Sequence, residues 1–106
     1  VKEASKKILR EEWEPKLKEQ APFDEDDYDR SHLQAYAILT MCRALYTTKN
    51  EDFVSKKAAA TWAKKTYGEP WRSLIEKAEK WEHGKELHVE KEALEFIKFT
   101  IDQAAI

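Results

Sequence analysis

The stretch that decides the fold is 31-SHLQAYAILTMCRALY-46, which is apolar on nearly every side of a helix. A helix with this pattern is buried among its neighbours, so the stretch predicts a central helix. Ser31 and Gln34 have the spacing of an N-terminal capping box, which places the start of that helix at Ser31. No Asp, Glu, Lys or Arg occurs from Ser31 to Cys42. This uncharged run is much shorter than the ~20 residues that span a bilayer, so we expect no membrane partner.

Two helices are predicted directly after the central one. Ser55 is placed to cap a helix over residues 56–66, in which three consecutive alanines allow close packing against a neighbour. Gly68 suits the left-handed conformation in which many helices end. Pro70 suits the first turn of a further helix, which is expected to end near Gly84.

The two ends of the chain add one helix each. A last helix is predicted from about Glu86, with apolar residues at helical spacing at Leu94, Ile97 and Ile101. A first, short helix closes near Pro15, because the residue before a proline avoids helical geometry. Its apolar side is formed by Ile8, Leu9 and Trp13. An acidic loop then leads to the central helix and contains Asp24, Glu25, Asp26, Asp27 and Asp29.

The composition indicates one all-α domain, a compact bundle of about five helices. The chain has 106 residues, of which 42% are hydrophobic, so a single core can form. Two glycines and three prolines are too few for Gly-rich nucleotide loops or for a turn-dense β-sandwich. We expect a single domain over residues 1–106, with the first helix and acidic loop in residues 1–30 and the helical bundle in residues 31–106.

The net charge and the cysteine content bear on the possible binding partners and on the cellular compartment. The net charge of -2 provides no general attraction to nucleic acid, so no nucleic-acid partner is expected. Cys42 is the single cysteine and cannot form an internal disulfide, which fits a cytoplasmic protein. Because the chain opens on Val1 without a leader sequence, it is interpreted as a piece of a longer polypeptide.

The best candidate for an anion site is the start of the helix that follows Ser55. Unpaired backbone N–H groups at a helix N-terminus attract phosphate, and Lys56 and Lys57 add side-chain donors. If that helix packs back antiparallel on the central one, the Arg43 side chain can reach Lys56. The alternative is that Arg43 pairs with a carboxylate or extends to solvent, with the two lysines on the solvated surface.

Other chemistry is weakly supported by the residues. The acidic loop can attract a cationic ligand or can be a solvated segment. The histidines are not expected to form a metal site, because His32 is remote from the other two in sequence and His83 and His88 lie on either side of a glycine. The chain also lacks a Gly-Ser motif followed by paired aspartates, the metal-binding half of a nucleotidyltransferase site. We therefore expect no catalytic residue and no bound cofactor in this chain alone.

Three segments carry a resemblance to a known family. The segments 37-AILTMCRALYT-47, 54-VSKKAAATWA-63 and 71-WRSLI-75, with Ala78, Trp81 and Gly84, resemble the C-terminal helical domain of the streptomycin/spectinomycin (3''/9) adenylyltransferases. The similarity extends from about Ser31 to Ile101.

The resemblance implies a function and specific roles. Members of the family transfer AMP from ATP, with Mg²⁺, to a hydroxyl of an aminoglycoside such as spectinomycin, which confers antibiotic resistance. A separate N-terminal nucleotidyltransferase domain carries the metal-binding carboxylates and the catalytic base. By motif, Arg43 and Lys56 correspond to residues that bind the ATP phosphates. Asp29, Tyr36 and Asp27 are the candidates for binding the aminoglycoside.

Two positions depart from the family pattern. Members that modify streptomycin have an acidic residue ten positions before the motif arginine, where this chain has Leu33. The family places a tyrosine near the ATP where this chain has Glu82. The first departure argues against streptomycin as the acceptor and leaves a spectinomycin-type or an altogether different acceptor open. The second predicts that nucleotide contacts near Trp81 differ or are absent.

Two hypotheses follow from the sequence. The first is the helical ATP- and aminoglycoside-binding domain of an adenylyltransferase-like enzyme, partnered by an N-terminal catalytic domain that this chain lacks. The second is a stand-alone helical binding or protein-interaction module without catalytic activity. A domain without its partner exposes the cleft surface that the partner covers, so self-association of the isolated domain is a further expectation.

Overall fold

The computed structural model of the protein describes residues 2–24 and 30–105. Within these ranges the helices are α1 (Lys2–Ile8), α2 (Arg30–Asn50), α3 (Lys56–Tyr67), α4 (Trp71–Lys80) and α5 (Glu90–Ala104). The described residues contain no strand, and the radius of gyration of 13.0 Å is that of a compact chain of this length. The prediction of an all-α compact bundle of about five helices is confirmed.

The central helix is α2, as the uncharged stretch predicted. Its side chains Ile38, Met41, Cys42 and Leu45 are completely buried, and it packs against each of the other four helices. Burial raises the pKa of Cys42 to about 12, so the thiol stays protonated and unreactive at neutral pH. Among the described residues, no helix combines the length and the apolar character that crossing a membrane requires.

A series of contacts between aromatic rings packs the side of α2 that faces α3, α4 and α5. Trp62 meets Tyr46 edge-on, with ring centres 5.3 Å apart, and Tyr67 meets Phe99 edge-on at 5.1 Å. Trp71 lies 4.9 Å from Phe99. Edge-to-face and tilted ring pairs of this kind add to the stability that apolar burial provides. Trp62 and Trp71 therefore anchor neighbouring helices.

The first helical segment changes geometry before it ends. The α-helix itself stops at Ile8 and continues as a π-helical turn over Leu9–Trp13 and a 3₁₀ turn over Glu14–Lys18. Pro15 lies in the first turn of the 3₁₀ segment. The prediction that the regular helix closes near Pro15 therefore overestimated its length by several residues.

Two predicted helix starts had different outcomes. At α3, the Ala58 N–H donates to the Ser55 side-chain oxygen at 3.1 Å, so the predicted N-cap is confirmed. At α2, Ser31 lies inside the helix because Arg30 is already helical, so the predicted start at Ser31 is wrong. The Ser31 hydroxyl instead accepts a hydrogen bond of 2.9 Å from the N–H of Leu87.

Residues 81–89 form a loop where the sequence predicted helix. The fourth helix ends at Lys80 rather than near Gly84, and the fifth begins at Glu90 rather than at about Glu86. The Gln34 side chain accepts a hydrogen bond of 2.8 Å from the N–H of Val89. Ser31 and Gln34 of α2 thus accept hydrogen bonds from backbone N–H groups of the loop. These bonds explain why the loop can remain non-helical beside the core.

Candidate functional site

Two cations lie close together where α3 starts beside α2. Arg43 is exposed on α2, and Lys56 is the half-buried first residue of α3. Burial lowers the pKa of Lys56, and repulsion by the Arg43 guanidinium lowers this pKa further. In the described part of the chain, no ion pair joins either side chain to a carboxylate. The pair is thus a local concentration of uncompensated positive charge, in which an anion would be stabilised.

Tyr36 connects this cation pair with the surface beside it. The Lys56 Nζ atom lies 4.4 Å from the centre of the Tyr36 ring, a cation–π contact. Tyr36 and Arg43 are separated by about two helical turns, so their side chains leave α2 on the same face. The fold therefore brings together three of the predicted site residues, Tyr36, Arg43 and Lys56. The other two, Asp27 and Asp29, lie outside the described residues.

A large cavity opens next to Tyr36, between α2 and the N-terminal segment. Its volume is about 640 Å³, within the range of pockets that hold drug-sized ligands. The Trp13 and Tyr36 rings lie side by side on its wall, with their centres 6.1 Å apart. The described lining residues are Ile8, Glu12, Trp13, Lys16, Pro22, Phe23, His32, Leu33, Tyr36 and Thr40.

A second, smaller cavity of about 230 Å³ lies beside Arg43. Its lining includes Arg43 and Phe53, whose side chain is 64% exposed. Trp13 and Thr40 line both cavities, which are therefore adjacent. The cation pair and the large cavity are neighbours in the fold, with Tyr36 and Thr40 between them.

Thr40 differs from the other helical threonines whose bonding the structure defines. Four of them donate their hydroxyl to the carbonyl four residues earlier, namely Thr48, Thr61, Thr66 and Thr100. The Thr40 hydroxyl oxygen is buried and finds no hydrogen-bond partner among the described residues. A buried polar atom without a partner is destabilising, so the Thr40 hydroxyl weakens the packing of the wall between the two cavities.

The histidines are arranged differently from what their spacing suggested. His32 is distant from His83 in sequence, but their rings are stacked with centres 5.4 Å apart, and Trp81 lies against both. The described residues contain no group of three or more His, Cys, Asp or Glu side chains that could hold a metal ion. Glu82, where the family has a tyrosine, is exposed and pairs with Lys85 at 3.4 Å.

Sequence reasoning missed most of the residues that line the large cavity, among them Glu12, Trp13, His32 and Thr40. They come from two segments that meet only through tertiary packing, so no spacing along the chain marks them as a group. Trp13 was recognised as an apolar residue of the first helix, which is correct because only 7% of its surface is exposed. What the sequence shows at this position is a large apolar side chain, and such a side chain does not by itself indicate a cavity.

Comparison with known proteins agrees with the resemblance seen in the sequence. The family model described as aminoglycoside adenylyltransferase, C-terminal domain, matches residues 8–104. Neither the curated proteins nor the solved structures include one that matches the chain. The family match covers nearly the whole chain, including α2 with Arg43, the start of α3 with Lys56, and the wall of the large cavity. The chain therefore belongs to the family of aminoglycoside adenylyltransferase C-terminal domains.

Proposed function

We propose that this chain is the ATP- and aminoglycoside-binding domain of an adenylyltransferase, which acts together with an N-terminal nucleotidyltransferase domain. The single observation that carries the proposal is the uncompensated cation pair of Arg43 and Lys56 beside a drug-sized cavity. A transferase needs its phosphate donor and its acceptor next to each other. The two features are adjacent through Tyr36, which contacts Lys56 and lines the cavity.

The cation pair would stabilise negative charge on the ATP phosphates. In AMP transfer, the acceptor hydroxyl oxygen attacks the α-phosphorus, and the bond from this phosphorus to the β-phosphate oxygen breaks. Pyrophosphate leaves with the electron pair, and the hydroxyl proton passes to a base of the N-terminal domain. Arg43 and Lys56 would act on the phosphates, where negative charge is greatest. Such stabilisation is most effective when domain closure excludes water from the site.

Mg²⁺ binding is assigned to the N-terminal domain. In residues 2–24 and 30–105 no group of metal-ligating side chains converges, so the described residues do not fit this ion. The acceptor would bind in the large cavity against Tyr36. Asp27 and Asp29, which lie outside the described residues, stay candidates for binding its cationic groups. Leu33 lies on the cavity wall, which favours a spectinomycin-type acceptor over one that needs a carboxylate at this position.

The decisive experiment measures AMP transfer from labelled ATP to spectinomycin by the full-length protein. Arg43→Ala should lower kcat by about a hundredfold, because removing one donor to developing charge commonly has an effect of this size. Arg72→Ala is the matched control, since Arg72 is an exposed arginine that lines neither cavity. This control should retain full activity.

Two results would overturn the proposal. Equal AMP transfer by the Arg43→Ala variant would show that Arg43 does not act on the phosphates. A full-length protein without a Gly-Ser motif and paired aspartates ahead of this domain, and without ATP binding, would support the stand-alone binding module instead.

A further inference from the structure

The large cavity has one wall that the proposed function does not use. This wall is the π-helical turn Leu9–Trp13, whose defining hydrogen bond runs from the Glu14 N–H to the Leu9 carbonyl, five residues apart. The wider turn places two consecutive side chains, Glu12 and Trp13, on the cavity wall. Single π-helical turns occur frequently at functional sites because they redirect side chains that a regular helix would space differently.

The charges around the cavity leave one carboxylate without a partner. Among the described residues that line it, Glu12 alone carries a carboxylate. Glu12 is exposed, and within the described part of the chain it makes no ion pair or side-chain hydrogen bond. The Lys16 ammonium, one turn further on, donates to the carbonyl oxygen of Pro22 at 3.3 Å. An ammonium group of a ligand that enters the cavity would therefore meet the free carboxylate of Glu12.

The neighbouring rings make the same position suitable for a cation. Trp13 and Tyr36 lie 6.1 Å apart between ring centres, and Tyr36 already contacts the Lys56 ammonium at 4.4 Å. Aromatic faces attract cations, and this attraction strengthens where water is excluded. A carboxylate beside such rings at the mouth of a cavity is an arrangement that favours an organic ammonium ion with apolar carbon atoms around it.

We propose that the Glu12 carboxylate binds an ammonium group of the acceptor, with the Trp13 and Tyr36 rings as the adjoining apolar wall. The acceptor class that this arrangement fits is an organic amine whose ammonium group reaches the cavity mouth and whose apolar carbon atoms lie against the two rings. In this arrangement the N-terminal segment of the domain determines specificity, in addition to α2. The inference rests on the proposed function, because it takes the large cavity as the acceptor site.

The test is a calorimetric titration of the full-length protein with spectinomycin and, separately, with ATP. Glu12→Gln keeps the size of the side chain and removes its charge, and should weaken spectinomycin binding by about three- to tenfold while ATP affinity is unchanged. Glu12→Asp should restore most of the affinity. Glu11→Gln is the matched control, because Glu11 is an exposed neighbour that does not line the cavity, and it should bind like the unmodified protein.

Salt provides a second measurement that a purely structural role would not affect. Added salt should weaken spectinomycin binding less in the Glu12→Gln variant than in the unmodified protein, because one charge pair is missing. Equal affinity and equal salt dependence in the two proteins would overturn the inference and leave the proposed function standing. Absence of spectinomycin binding by the unmodified protein would overturn the inference together with the acceptor assignment, while ATP binding would still test the cation pair.

Discussion

The two sides of α2 differ in how tightly they are packed. Toward α3, α4 and α5 the aromatic rings touch one another, and Phe96 and Ile97 are completely buried. Toward the N-terminal segment, cavities of about 640 and 230 Å³ remain beside the helix. The tight side fixes where α2 lies, and the open side presents the charged and aromatic groups that could bind a ligand.

This difference indicates a division of roles along one helix. Residues on the tight side are close-packed, so changes to them should affect the free energy of unfolding. On the open side Glu12, Tyr36 and Arg43 are exposed, so changes to these side chains should mainly affect binding. Matched substitutions on the two sides can test whether stability and binding are divided in this way.

The largest expected effect is the loss of a buried ring. Phe96→Ala should lower the free energy of unfolding by about 3–5 kcal/mol, because the ring is fully buried and a cavity would remain. Phe53→Ala, which removes a ring that is 64% exposed beside the smaller cavity, should change it by less than about 0.5 kcal/mol. Urea unfolding followed by circular dichroism measures both. Similar losses for the two variants would contradict the comparison.

Smaller changes in the free energy of unfolding, of opposite sign, are expected when two threonines are replaced by valine. Thr40→Val should raise the free energy of unfolding by about 1 kcal/mol, because it removes a buried hydroxyl that has no partner. Thr100→Val should lower it by about the same amount, because the buried Thr100 hydroxyl donates to the Phe96 carbonyl at 2.8 Å. Urea unfolding followed by circular dichroism measures both changes. A destabilising Thr40→Val would show that this hydroxyl has a stabilising interaction after all.

The tight side could be predicted from the sequence because its signals are local. Continuous apolar character over α2 and the cap at Ser55 each act through neighbours in the chain, and both were predicted correctly. Of the three alanines for which close packing was predicted, Ala59 and Ala60 are buried and Ala58 is exposed. Gly68 likewise adopts a positive φ of 64°, as a glycine at a helix end allows. On the open side, the family resemblance predicted Arg43 and Lys56 as phosphate-binding residues, and a general anion-site argument had already singled out the same two positions.

The cavity wall on the open side could not be predicted, because its geometry depends on contacts between residues that are distant in sequence. Ser31 has the local pattern of a helix cap, but its hydroxyl accepts from Leu87, 56 positions away. Glu12 and Trp13 line the cavity from a π-helical turn, a geometry that hydrophobic spacing does not reveal. His32 and His83 are 51 positions apart in sequence, and their rings stack only because the loop of residues 81–89 folds back on α2.

The smallest expected effect concerns the pH dependence of ATP binding on the open side. Burial, and to a lesser extent repulsion by Arg43, lowers the pKa of Lys56 below its ordinary value of 10.5. Phosphates favour the charged lysine and should raise this pKa when they bind, so ATP binding is strongest below the pKa of the free protein. As the pH rises through that lowered pKa, affinity should fall by about threefold, and the fall should begin at a lower pH than an exposed lysine would give.

Lys56→Arg, which stays charged, should abolish this fall in titrations of the full-length protein between about pH 8 and 10.5. Lys57→Arg, at an exposed neighbour, should keep it. If Lys56→Arg follows the same pH curve as the unmodified protein, Lys56 does not contact the phosphates and the anion site is reduced to Arg43.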